Sequence, residues 1–359
     1  MGKIQVLKFD GEFHPWETAL TNLIRNSGTL TRLIETTDID IMYCDINALI
    51  SFYLKPLDDH RSSLKSLLPH IKVDTIFIIS FLGEGIHHRM IGEFINDLIY
   101  AGVEKKNIRV LYSTFFDHPT IIKCESFSHF FIKCPVINHE DSNDYLNTIP
   151  TKHFLCLMRR TKPERVVFLN NFKNLDWFYD RDILDVSFGV GDPVDDTESQ
   201  VDLIFFDSSK VDDEDQHKSI NPEMITQLFN IVVETHITIN NHQNGWGYIT
   251  EKSIKPFYYC QIPIWMAQPK TVSIMREIGF DVFDDILDGH PYDVILNDDE
   301  RIAMVMDLMN SIKIKYNKQD ISSLKSNLQD RIRKNRELLF KLDFNYIKKF
   351  EDHFLNLIT

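Results

Sequence analysis

The feature that most restricts this chain is an alternation, run through twice, of short apolar stretches with longer stretches of helical periodicity. In the first series Ile4 to Phe9, Ile39 to Cys44, Thr75 to Phe81 and Ile108 to Tyr112 read as strands. Trp16 to Ile24 and Ile86 to Tyr100 read as helices, the second ended by Gly102. A second series begins after Ile149-Pro150, with strands predicted at Phe154 to Met158, Ile183 to Phe188, Leu203 to Phe206, Phe229 to Val233 and Ile262 to Met266. Helices are predicted at Pro163 to Phe172, after Thr250, and at Val272 to Ile278. Runs that are apolar throughout belong to strands buried on both faces, and helices between them cover those faces. The expectation is an α/β protein with two Rossmann-like, doubly wound domains. A chain of 359 residues, 43% of them hydrophobic, is long enough for two cores. In such sheets ligands gather at the carboxyl ends of the strands, so a site in the cleft between the halves is expected.

Several function classes are disfavoured. No apolar stretch follows Met1-Gly2-Lys3, and no run is long enough to span a membrane, which predicts a cytoplasmic protein without a membrane partner. Val6 stands where a myristoylation signal carries Ser or Thr. The five cysteines, Cys44, Cys124, Cys134, Cys156 and Cys260, are odd in number and widely spaced, so buried free thiols are expected in place of a disulfide framework. The net charge of −14 argues against a broad nucleic-acid surface. Acid concentrates between Asp192 and Asp215, however, and Lys and Arg between Lys313 and Lys349, which leaves room for a polyanionic acceptor.

The densest chemistry lies between Glu234 and Asp285. The apolar run to Val233 ends in Glu234-Thr235-His236, delivering an acid and an imidazole to a strand's carboxyl end. Further on, Tyr248-Ile249-Thr250-Glu251-Lys252 opens a helix: Thr250 is a good N-cap, and Ile254, Phe257, Tyr258 and Ile262 follow at helical spacing. Glu251 and Lys252 then stand in the first turn, beside backbone N–H groups that favour phosphate. Phe154-Leu155-Cys156-Leu157-Met158-Arg159-Arg160 carries an arginine pair at the end of another strand. Arg165, inside the helix that follows, is as readily a surface cation as a ligand, and His236 as readily a satisfied strand-end histidine as a phosphate contact. Pro256 lacks a helical N–H and reads as architectural. Asp38-Ile39-Asp40 precedes its strand and Asp213-Glu214-Asp215 lies in an acidic loop, so neither has the setting of a metal-binding Asp-x-Asp, and no metal is expected.

Taken in order, the arginine pair, the strand-end acid Glu234, Tyr248-Ile249-Thr250-Glu251-Lys252, the strand from Ile262-Pro263, and Gly279-Phe280-Asp281-Val282-Phe283-Asp284-Asp285 resemble the sugar-nucleotide half of a GT-B glycosyltransferase. The pattern is similar to the α1,3-fucosyltransferase signature, and closer to a viral and phage group related to it. The resemblance covers residues 150–310 or so, with no match in the first 150. It implies a glycosyltransferase that moves a sugar from a UDP- or GDP-sugar to a hydroxyl acceptor, with the nucleotide sugar as co-substrate and no further cofactor.

On this resemblance residues 1–150 form an acceptor domain and 151–318 a donor domain. The helices of 319–359, with their stripe of Ile321, Leu324, Leu328, Ile332, Leu339 and Leu342, pack back on the first domain. Glu251 would bond ribose hydroxyls, and Tyr248 would line the nucleotide or sugar pocket. Lys252 with Arg159 or Arg160 would hold the diphosphate. Glu234, His236 and Thr250 complete the expected donor-binding set. Thr235 stands where the fucosyltransferases carry Asn, and the loop to Tyr248 is longer, so fucose does not follow. For the acceptor the resemblance points first to a hydroxymethylated pyrimidine in viral DNA, with a glycan or protein as the alternative. The catalytic base is expected from the first half. Glu84 follows the most apolar strand between Gly83 and Gly85, and Asp117 follows a later one. A non-catalytic nucleotide-sugar-binding protein is the alternative.

Overall fold

The computed structural model describes residues 4–6, 32, 40–45, 74–81, 88–112, 115–116, 123–126, 144–158, 163–188, 203–204, 225–234, 236–238, 245–246 and 249–358. The chain is α/β and divides into two compact units. One comprises Met1–Ile132, Asn240–Gly245 and Asn345–Thr359, the other Lys133–Ile239 and Trp246–Phe344. The unit boundary thus falls at 132/133, against 150/151 from sequence. The helices up to Phe344 belong to the second unit.

The main sheet of the first unit holds β1 (Ile4–Val6), β2 (Ile41–Asp45), β3 (Ile76–Phe81), β4 (Ile108–Tyr112) and β5 (Lys123–Ser126), all parallel and lying side by side in chain order. Helix α1 (His88–Tyr100) joins β3 to β4, and Gly102, at φ 105°, turns the chain after it. Ile78, Ile79, Ile108 and Leu111 are fully enclosed, as two-sided burial of a parallel sheet requires. The predicted helix Trp16 to Ile24 lies outside the described residues.

The second unit holds β6 (Lys152–Met158), α2 (Pro163–Phe172), β7 (Leu184–Phe188), β8 (Leu203–Ile204), β9 (Gln227–Val233), α3 (Glu251–Tyr258), β10 (Ile262–Met266) and α4 (Thr271–Ile278). Helices α5 (Asp298–Lys315), α6 (Lys318–Asn327) and α7 (Gln329–Phe344) complete it. Helix α8 (Tyr346–Ile358) belongs to the first unit. It packs on β4 and β5 there, and Arg109 Nε donates to the helix-end carbonyl of Leu357 at 2.8 Å. The sequence stripe from Ile321 to Leu357 is therefore three helices, and α5 is a further helix absent from the sequence reading.

The strand order in the second sheet is β10-β9-β6-β7-β8, parallel except for β8. The chain leaves β6 towards one edge and leaves β9 towards the other, so the winding reverses between these neighbours. Among the described strands the first sheet has no such reversal; the doubly wound arrangement expected of both is seen in the second. Register places Phe154 and Phe229 on one face, and Leu155 and Asn230 on the other. Phe154 stacks on Trp177 just past α2, whereas Trp265 of β10, on the face of Asn230, meets Phe257 of α3. Helices therefore cover both faces, and every residue of β9 and β10 is buried.

The segment Gly279-Phe280-Asp281-Val282-Phe283-Asp284-Asp285 is a docking element. Gly279, at φ 110°, ends α4, Phe280 stacks on Phe257 of α3 at 4.2 Å, and Val282 and Phe283 are buried. Asn335 of α7 accepts from Asp281 N–H and donates to its carbonyl, while Arg331 grips the carboxylates of Asp281 and Asp285. From the other side the enclosed His290 donates through Nε2 to the Val282 carbonyl at 2.7 Å. Its Nδ1 accepts from the Tyr292 hydroxyl at 2.9 Å, and that hydroxyl accepts from Trp265 N–H at 3.3 Å.

Burial holds the His290 imidazole below its ordinary value, with the Val282 carbonyl and the nearby Asp284 and Asp293 opposing the shift. The neutral ring is thus the folded form, while in the unfolded chain it takes a proton near pH 6.5. Stability should be constant above that pH with respect to this group and fall below it, by up to about 1.4 kcal/mol per pH unit until the folded pKa is reached. Denaturant titrations of wild type and His290→Gln between pH 7 and pH 5 would show the slope in the former and a shallower one in the latter.

Candidate functional site

The reversal between β6 and β9 is where an open parallel sheet offers a ligand its crevice, because the two crossover helices diverge there and expose their first turns. At this place the second unit collects Glu164 and Arg165 from the start of α2, Glu234 and residues 236–238 beyond β9, and Thr250, Glu251 and Lys252 at the start of α3. The expected donor-binding residues Glu234, His236, Thr250, Glu251 and Lys252 are therefore placed at one edge of one sheet. Arg159, Arg160, Tyr248, Glu84 and Asp117 lie outside the described residues, although Arg159 directly follows the last residue of β6.

Glu234 has no exposed surface. Its Oε1 accepts from Thr250 N–H at 3.0 Å and from the Ser253 hydroxyl at 2.6 Å, and its Oε2 accepts from the Thr250 hydroxyl at 2.6 Å. The carboxylate is thus the resident anion at the positive end of α3. Thr250 caps the helix as predicted, its Oγ1 accepting from Lys252 N–H at 3.3 Å. Lys252 Nζ donates to the same oxygen at 3.2 Å and pairs with Glu251 Oε1 at 3.0 Å. Glu251 and Lys252 consequently stand side by side, bracketed by two residues that Glu234 holds.

Arg165 is buried, 3% exposed, so of its two readings the surface cation is ruled out. The cause is long-range: its guanidinium donates to the Glu234 carbonyl at 3.3 and 3.4 Å. Burial lowers its pKa while the Glu234 and Glu251 carboxylates raise it, so the cation is held among acids. The chain beyond β9 is fixed at further points. Arg301, buried in α5, donates to the carbonyls of Ile237 and Ile295; Thr238 donates to Glu164 Oε1 at 3.3 Å; and Gln268 Nε2 donates to the Thr238 carbonyl at 3.3 Å. His236 is partly exposed on this anchored segment. Arg301 and Gln268 carried no motif, and only the Asn297 cap and the acids at 298–300 marked the helix that brings Arg301 in.

Chemically, Glu251 offers a carboxylate that accepts hydrogen bonds from a diol, and Lys252 an ammonium for an anion. Among the described residues no group of three or more His, Cys, Asp or Glu side chains could hold a metal ion, and no helix is long and apolar enough to cross a membrane. Cys156 and Cys260 are free and buried, the latter's thiol pushed up to about 11 by burial, which leaves it unreactive.

Part of the basic stretch of the last helices is engaged within the chain. Arg331 meets Asp281 and Asp285, Arg333 meets Asp330 and Glu337, and Arg336 lies 5.3 to 5.4 Å from the rings of Tyr145, Tyr258 and Phe340. Lys325 is buried against the carbonyls of Tyr145 and Thr148. Comparison with protein-family models, with curated proteins and with solved structures returned no match.

The cap is directly testable. Thr250→Val removes the hydroxyl shared by Glu234 and Lys252 and takes a hydrogen bond from a buried carboxylate, which should cost about 1–3 kcal/mol in urea denaturation. Thr250→Ser keeps the hydroxyl and should fall within about 0.5 kcal/mol of wild type.

Proposed function

We propose that the protein is a GT-B-type glycosyltransferase whose second unit binds a nucleotide-sugar donor. The observation that carries this reading is the pairing of Glu251 and Lys252 on the first turn of α3, beside Arg165, at the reversal point of a parallel sheet. A nucleoside diphosphate sugar presents a ribose diol and two phosphates; Glu251 takes the diol, and Lys252 with Arg159 or Arg160 takes the diphosphate. Neutralising the leaving group with chain cations calls for no metal. Tyr248 lines the pocket, and the first unit supplies the base, Glu84 or, failing it, Asp117. A hydroxymethylated pyrimidine in DNA is one acceptor for such an enzyme. The net charge of −14, with Arg331 engaged by Asp281 and Asp285, favours the second acceptor class, a glycan or protein hydroxyl.

Thermal-shift screening of UDP- and GDP-sugars, followed by donor turnover, tests the reading. One donor should raise the midpoint and be hydrolysed slowly without acceptor; binding with no turnover would identify a non-catalytic binding protein instead. Lys252→Ala should weaken nucleoside diphosphate affinity by about 1–3 kcal/mol in calorimetry, the scale of a charge-assisted contact. Turnover should survive excess chelator; its loss, with recovery on adding Mg²⁺ or Mn²⁺, would refute the metal-free mechanism. Glu84→Gln should slow turnover by about 10²–10⁴-fold with nucleotide binding intact, and if Asp117→Asn does so instead the base is Asp117.

A further inference from the structure

We infer that Glu234, although it opens the motif that binds the donor, is a positioning residue: enclosed beneath α3, it presents Glu251 and Lys252 to the ligand without touching it. The inference rests on the nucleotide-binding reading above and replaces one of its parts, the place of Glu234 among the ligand contacts.

Three observations carry it. First, Glu234 is 0% exposed, so no ligand reaches its carboxylate while α3 starts where it does. Second, both carboxylate oxygens are engaged by Thr250 and Ser253, the residues immediately before and after the Glu251-Lys252 pair. The carboxylate therefore fixes both ends of that dipeptide and with it the direction of the two side chains. Third, the Glu234 backbone joins the neighbouring elements. Its N–H donates to the Met266 carbonyl at the end of β10 at 3.0 Å, and its carbonyl accepts from Arg165 of α2. One residue thus ties the first turn of α3 to the end of β10 and to α2.

The same geometry decides how an anion is recognised. An N-terminus of this kind would attract phosphate by its backbone and dipole, but the Glu234 carboxylate already occupies that position. A diphosphate is then held by the Lys252 side chain, which Glu234 orients. Two opposite effects of removing the charge follow from the two possible roles. If Glu234 only competes with phosphate for the helix end, Glu234→Gln binds nucleotide more tightly. If it positions, the same variant binds more weakly.

The experiment is calorimetry with GDP and with UDP on wild type, Glu234→Gln, Ser253→Ala, Ser253→Thr, Lys252→Ala and the Glu234→Gln/Lys252→Ala double variant, with thermal midpoints recorded for each. For the nucleotide that wild type binds, Glu234→Gln should lose about tenfold in affinity and Ser253→Ala about threefold, while Ser253→Thr, which keeps the hydroxyl, stays near wild type. On the Lys252→Ala background the effect of Glu234→Gln should shrink to about twofold or less, because the side chain it directs is gone. Unchanged or tighter binding by Glu234→Gln, or a full tenfold loss on the Lys252→Ala background, overturns the positioning role and leaves the nucleotide site standing. If Glu234→Gln does not fold, the contrast between Ser253→Ala and Ser253→Thr decides, equal affinities overturning the inference. Binding of neither GDP nor UDP by folded wild type overturns the nucleotide-binding reading, and this inference with it.

Discussion

A carboxylate with no contact to water is the constraint around which the second unit is arranged. Burying an ionised Glu234 would cost several kcal/mol unless hydrogen bonds replaced its hydration. They come from one place, the start of α3, through the Thr250 N–H and hydroxyl and the Ser253 hydroxyl. The helix dipole adds a favourable field for the negative charge. The consequence runs in both directions. Glu234 is tolerable only if α3 begins at Thr250, and α3 begins there with its first turn satisfied because Glu234 is beneath it. Arg165 then follows: a guanidinium from α2 is drawn to the Glu234 carbonyl and lies among the acids.

The same device appears one strand further along. Asp293 accepts from Val272 N–H at 2.8 Å and from Ser273 N–H at 2.9 Å, so α4 also begins on a carboxylate from a later part of the chain. Lys270, at φ 67°, makes the turn into α4 and donates its N–H to the Asp293 carbonyl at 2.7 Å. A left-handed backbone at a non-glycine residue costs on the order of 1 kcal/mol and persists only where neighbours over-determine it. Both helices that follow the β9 and β10 strands are therefore started by side chains, and their orientation at the sheet edge is set by those anchors.

Away from this edge, polar links hold the unit's outer helices. Gly279 to Asp285 reads as part of a sugar-nucleotide motif, yet its contacts are with α3, α7 and His290. Its glycine closes α4, Phe280 pairs with Phe257, Asp281 and Asp285 receive Arg331, and Asp284 receives Arg276 of α4. These residues shape the sheet's surroundings and present no group at the reversal point. Arg331 and Arg336 of α7 are turned to the carboxylates of Asp281 and Asp285 and to the rings of Tyr145, Tyr258 and Phe340, whereas Arg333 pairs with Asp330 and Glu337 on the exposed face of its own helix.

What could be read from residue order alone is what local periodicity encodes. Strands Ile108–Tyr112 and Ile262–Met266 and helix Pro163–Phe172 have the bounds expected of them, because short, mainly apolar runs and helical periodicity are local signals. The cap at Thr250 and the adjacency of Glu251 and Lys252 are equally local, and so was the placement of that pair on a first turn. Strand Lys123–Ser126 was not legible, since two of its four residues are charged, and helix Asp298–Lys315, with Arg301 on its buried side, went unread. The strand order, and with it the reversal between β6 and β9, depends on pairing of segments some 70 residues apart, such as Phe154 with Phe229. The burial of Arg165 and the enclosure of Glu234 depend on partners 69 and 16 residues away in sequence. A charged residue's exposure is decided by which distant groups reach it, and only the folded chain brings those groups together.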